Sequence, residues 1–153
     1  MTFAPSVFFQ FESDFVESLR CIPMVVRFKL DTCGIKLKLE HWHRFTAGDR
    51  QQLVYLPCET AQDVAAYRHY VSDLVLQYTQ FPASDLPIED HPAWLNSLNI
   101  PDSVQDKAES VGTHLMLEQW QALAPLQRFA LIKLSRSSHE NRNFLPALQE
   151  FGY

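Results

Sequence analysis

Three cysteines, Cys21, Cys33 and Cys58, are the side chains here best suited to chemistry, because thiolates are the usual ligands of zinc and iron–sulfur centres. Their spacing argues against a metal site. No C-x₂-C pair occurs, and three thiols do not make the usual four-ligand set. His41 and His43 flank Trp42; on a helix they point to different faces and cannot chelate together, whereas on a strand they could. Asp63 with Asp73, and Glu89 with Asp90, have no spacing that makes an acid–base pair. The sequence contains no phosphate-binding glycine loop, nucleophile elbow, H-E-x-x-H or dinucleotide fingerprint. These residues imply no catalytic set and no cofactor, so the chain reads as a non-enzyme. Metal or redox delivery through Cys21, Cys33 and Cys58 stands as the alternative.

What remains is surface chemistry. Arg27, Lys29, Lys36 and Lys38 cluster in the first half, beside an aromatic N-terminal arm with Phe8, Phe9 and Phe11. A basic patch with exposed aromatics suits docking onto an acidic protein surface. The plainer reading is a solvated lysine face with the phenylalanines buried.

The elements that position these residues follow from an internal repeat. Shifted by 78 positions, the segment from Ile22 to Leu56 matches the one from Ile100 to Leu134 at twelve positions without a gap. Among the pairs are Val26/Val104, Lys29/Lys107, Gly34/Gly112, Leu39/Leu117, Glu40/Glu118, Trp42/Trp120 and Arg50/Arg128. The three cysteines and most of the basic cluster have no counterpart in the second copy, which is where a difference in function would lie.

The repeat also resolves an ambiguity of fold. Val26 to Leu30 and Ile35 to Leu39 alternate apolar and basic residues, which alone reads as a β-hairpin over about 24–39. The counterpart from Asp102 to Val111 is rich in helix formers, with Pro101 where a helix starts and Gly112 where one is capped. Homologous copies share a fold, so both are expected to be helical, with an α+β fold containing the hairpin as the alternative. The expected architecture is all-α: two pseudo-symmetric helical units, about 13–79 and 100–153, packed as one domain over 1–153. A proline-stiffened linker, about 80–99, joins them, pinned by Trp94, Leu95 and Leu98.

Within the units, helices are expected from Ser13 through Leu19, over 47–56 with Thr46 as cap, over 61–79 with Thr60 as cap, and over 125–135 opened by Pro125. Ser138 is the expected cap of a further helix. Trp42 and Trp120 are expected in the two cores with their indole N–H groups bonded nearby. Arg50 and Arg128 sit early in helices, where a cation opposes the dipole, so each is expected to pair with Glu40 or Glu118.

Composition adds exclusions. The net charge of −5 disfavours nucleic acid and anionic membranes, and no apolar run approaches a membrane span. Residues 1–60 carry seven basic and seven acidic side chains, residues 61–153 six and eleven. An odd cysteine count without a leader-like N-terminus reads as cytoplasmic.

A resemblance covers much of the chain. The run Phe11-Glu-x-Asp14-Phe15-Val-x-Ser18-Leu-Arg-Cys21-Ile-Pro-Met24 is followed by Arg27-x-Lys29-Leu-Asp31-x-Cys33-Gly-Ile-Lys-Leu37, then Trp42, Arg50 and Leu56-Pro-Cys58. Together these resemble the nitrate reductase-associated protein family of cyanobacteria, and the repeat extends the likeness through Trp120, Arg128 and Leu134. The resemblance implies a small cytoplasmic accessory protein needed for assimilatory nitrate reductase to be active. The implied partner is a molybdenum and iron–sulfur enzyme, and the chain itself is not a reductase.

Overall fold

The repeat reappears as helices that start in register. A computed structural model describes residues 8–13, 19–136 and 141–153. Eight α-helices form among the described residues: α1 (Met24–Cys33), α2 (Leu39–Arg44), α3 (Ala47–Tyr55), α4 (Ala61–Thr79), α5 (Asp102–Ser110), α6 (Leu117–Ala122), α7 (Pro125–Arg136) and α8 (Phe144–Glu150). Met24 and Asp102, Leu39 and Leu117, and Ala47 and Pro125 are all aligned pairs, so α1, α2 and α3 repeat as α5, α6 and α7. The fold is mainly helical, as expected. The helix expected from Ser13 through Leu19 falls largely on residues 14–18, which lie outside the described residues, as does the expected cap Ser138.

The described residues divide into two units. One comprises Glu12–Ile88, and the other joins Phe9–Phe11 to Glu89–Tyr153. In the first unit α1 packs against α3 and α4, and α2 packs against α4. In the second, α7 packs against α5, α8 and a 3₁₀ turn at Ala93–Leu95, and α5 packs against α8.

Local chemistry explains the boundaries. Thr46 and Thr60 each accept from the N–H three residues on, while Asp49 and Asp63 reach back to the capping residue's own N–H. Both are reciprocal capping boxes. Pro125 opens α7, where its missing N–H costs nothing. Gly34 caps α1 at φ +80°, and Gly112, one residue past the Val111 cap of α5, takes φ +81°, a conformation that a side chain disfavours.

The hairpin is replaced by α1 followed by a short strand. Val26 and Leu30, four apart, are buried on one face of α1. The strand β1 (Ile35–Lys36) pairs antiparallel with β2 (Ser84–Asp85), a segment of the proline-rich stretch, and not with residues 26–30. The linker expectation needs a second correction. Trp94 packs edge-on against Phe129 at 5.1 Å, but Leu95 and Leu98 face solvent.

Each unit is centred on its tryptophan. Trp42 is fully buried and donates its indole N–H to the Leu19 carbonyl at 2.6 Å. Trp120, also fully buried, donates to the Asn96 carbonyl at 2.9 Å. Both tie the segment that precedes the repeat to its core. Arg50 donates to the Trp42 and His43 carbonyls, each at 3.0 Å. Arg128 donates twice to Leu123 O and once to Trp94 O. The arginines therefore take backbone carbonyls where Glu40 and Glu118 were expected, because α2 and α6 end with carbonyls turned toward the next helix.

Candidate functional site

The basic residues of the first unit separate into two groups once α1 is a helix. Lys29, on the inward side of α1, is half-buried, and its ammonium donates to Val54 O at 2.6 Å and Leu56 O at 2.7 Å. Those carbonyls end α3, the negative pole of a helix, where a cation is favoured. Tyr67 donates to the adjacent Leu53 O at 2.7 Å and lies under the Lys29 ammonium. Burial pushes the Lys29 pKa down, with the neighbouring Cys58 and Glu59 acting the other way. Arg27 donates its Nε–H to Ile22 O. Lys29 thus serves the interior of the unit.

Lys36 and Lys38 are exposed, on a corner whose backbone is firmly held. Strand alternation turns Ile35 inward and Lys36 outward. Lys38 is the extended residue before α2, and Leu39 and Glu40 open that helix on the surface. Arg68 of α4 fixes the corner by donating to Cys33 O and Gly34 O, both at 2.9 Å, while its other nitrogen meets Asp85. Leu86 N–H also donates to Gly34 O at 2.9 Å, so the strap carrying β2 is stitched down beyond the strand pair. Arg68 and Asp85 carry no local sequence signal for this role, since it depends on a carbonyl thirty-odd residues away.

The aromatic arm is built into the second unit's own packing. Phe9 stacks on Phe11 at 5.1 Å and meets Phe151 edge-on at 5.3 Å. The Phe11 N–H donates to the Glu150 carboxylate. Phe8 is partly covered and belongs to the first unit. Glu12, part of the run that carries the family resemblance but given no role in the sequence reading, is a buried carboxylate that accepts from the Met24 N–H at 2.9 Å and so caps α1 from outside it.

Two of the three cysteines are buried at α1. Cys33 and Cys58 are buried thiols whose sulfurs lie 3.6 Å from Leu30 O and 3.8 Å from Lys29 O, adjacent carbonyls of α1. Burial raises both pKa values, that of Cys33 to about 11. Protonated thiols donating to carbonyls are poor ligands and poor nucleophiles. Among the described residues no three His, Cys, Asp or Glu side chains gather as a metal site. A thiol reagent at neutral pH is expected to modify Cys21, which is partly exposed, and to reach Cys33 and Cys58 only on unfolding. Rapid titration of three thiols in the native protein would contradict this placement.

Three of the remaining polar candidates, Asp63, Asp73 and His43, have partners. Asp63 completes a capping box, and Asp73 pairs with His69 at 3.2 Å. His43 bonds the Arg20 carbonyl at 2.7 Å, while burial lowers the pKa of His41. No helix among the described residues is long and apolar enough to cross a membrane. The chain matches none of the curated proteins and none of the solved structures compared with it. A family model described as "Conserved nitrate reductase-associated protein" matches residues 8–151, and the chain belongs to that nitrate reductase-associated family.

Proposed function

We propose that this protein is a non-catalytic, cytoplasmic accessory factor that binds an assimilatory nitrate reductase and supports its activity. The family's description, which links it to nitrate reductase, supports this choice of partner. The observation that carries the reading is the corner at β1 and α2, where Lys36 and Lys38 project from backbone fixed by Arg68, β2 and Leu86. Ammonium groups on a rigid frame lose little further freedom on binding and complement an acidic surface. Among the residues a catalytic reading would draw on, His43, Asp63 and Asp73 are engaged with a carbonyl, a cap and an i,i+4 partner.

Of the residues proposed for docking from sequence, Lys36 and Lys38 remain the core of the surface, and Leu39 joins them. Charge reversal at both lysines, Lys36→Glu with Lys38→Glu, is expected to weaken capture of the reductase by roughly tenfold or more, with the wild-type interaction fading as salt is raised. Undiminished capture by the reversed protein would remove this corner from the interface.

A further inference from the structure

The repeat holds a shared apolar pair that packing does not explain. Most identical pairs have a structural role. Val26/Val104, Trp42/Trp120 and Leu53/Leu131 are fully buried, and Gly34/Gly112 cap helices. Leu39 and Leu117 are 47% and 41% exposed, yet both copies keep leucine there. Each is the first residue of a short helix, a place where leucine contributes nothing to capping.

In the second unit this leucine is accompanied. Met116 beside it is 52% exposed, and Leu95 and Leu98 of the preceding segment are 58% and 75% exposed. The two segments are stitched together from behind. Trp120, one helical turn after Leu117, bonds the carbonyl of Asn96, which lies between the two leucines. Arg128 bonds the carbonyl of Trp94 in the same segment. Buried anchors thus hold a backbone that turns its large apolar side chains to solvent, the arrangement expected of a preorganised contact surface.

The charge of the stretch of chain that carries these residues indicates what it contacts. Residues 89–122 carry six carboxylates (Glu89, Asp90, Asp102, Asp106, Glu109 and Glu118) against Lys107 alone. A second copy of this face would set like charges together, which opposes self-association. At the matching corner of the first unit, Lys38 stands where Met116 does and Lys36 where His114 does, so the leucine is retained while the sign of its rim is reversed. We propose that Leu95, Leu98, Met116 and Leu117 form a second docking surface, which takes an apolar protein surface bordered by lysine and arginine. This goes beyond the reductase-binding corner, being a different face of opposite charge.

The test uses the full chain and two synthetic amphipathic helices, one of leucine and lysine and one of leucine and glutamate, followed by fluorescence anisotropy. The leucine–lysine helix is expected to bind, and Leu98→Ser with Leu117→Ser to weaken it at least tenfold at an unchanged melting temperature. Leu95→Ser with Met116→Ser serves as an independent pair should the first unfold the unit. The Lys36→Glu, Lys38→Glu protein is expected to bind this helix as wild type does, which separates failure of this surface from failure of the reductase corner. The proposal is overturned if the wild type does not bind, if both serine pairs bind undiminished, or if the leucine–glutamate helix binds equally well and responds to the same serines. A concentration-dependent dimer dissolved by those serines would also overturn it in favour of a second copy.

Discussion

Replacing Arg128 with methionine is expected to destabilise the protein by about 2–6 kcal/mol, the cost of leaving two buried carbonyls without their donors. Arg128 is buried, and its guanidinium donates from Nε and Nη2 to Leu123 O at 3.2 and 2.8 Å and from Nη1 to Trp94 O at 2.9 Å. Burial lowers its pKa, yet arginine remains charged at any working pH, so the carbonyl dipoles must balance the cation. Methionine fills similar space but leaves two carbonyls without their donors, each worth about 1–3 kcal/mol when desolvated. Lysine keeps the charge without the planar fork, so Arg128→Lys should recover only part of the loss. Arg50 is half-buried and holds the Trp42 and His43 carbonyls at 3.0 Å, so Arg50→Met should cost less, about 1–2 kcal/mol. Urea unfolding with the slope held constant measures both. An Arg128→Met protein as stable as the wild type would show that the network contributes nothing, and the Trp94 segment would then need another anchor.

That network also shows where sequence reading succeeds and where it stops. Elements with local causes were legible: Thr46 and Thr60 with their aspartates, Pro125, and the capping glycines predict α3, α4, α7 and the ends of α1 and α5 from a few adjacent residues. The repeat decided the harder case, because Val26 and Leu30 fit both a strand face and a helix stripe, and only the second copy broke the tie. What stayed hidden were partners that every residue possesses. A sequence advertises Glu40 as a mate for Arg50, but it cannot advertise that the Trp42 carbonyl points at it. Lys29 looked like surface for the same reason, since the carbonyls that end α3 draw its ammonium inward. Leu95 and Leu98 looked like core because they are apolar, although it is their backbone, through Trp94 O and Asn96 O, that is buried against the repeat. The candidate docking corner was therefore half legible: the charges of Lys36 and Lys38 are visible in the sequence, and the Arg68 clamp that fixes them is not.

The paired glycines offer a test in which the repeat is its own control. Gly34→Ala is expected to cost roughly 1.5–3.5 kcal/mol, from a left-handed backbone penalty of about 1–2 kcal/mol plus a loosened ladder bond of about 0.5–1.5 kcal/mol. Gly112→Ala should incur the backbone penalty alone. The φ angles are nearly identical, +80° and +81°, so the left-handed penalty cancels in the comparison. The surroundings differ. A Cβ at Gly112 meets nothing within 4 Å, whereas one at Gly34 comes 2.8 Å from Ile88 Cγ1 and 3.1 Å from the Leu86 carbonyl. The Ile88 side chain is exposed and can swing aside. The Leu86 carbonyl cannot move freely, because the N–H of the same residue is bonded to Gly34 O and the strap is further held by β2 and Asp85. Relief must come from lifting the strap off β1, which frees the backbone that carries Lys36. Gly34→Ala should therefore also speed amide exchange at Leu86 and in the β1–β2 pair and weaken reductase capture, while Gly112→Ala leaves both unchanged. Equal destabilisation by the two alanines, with exchange at Leu86 unaltered, would mean that the strap is not what requires glycine at position 34, and the rigidity attributed to the Lys36–Lys38 corner would lose its basis.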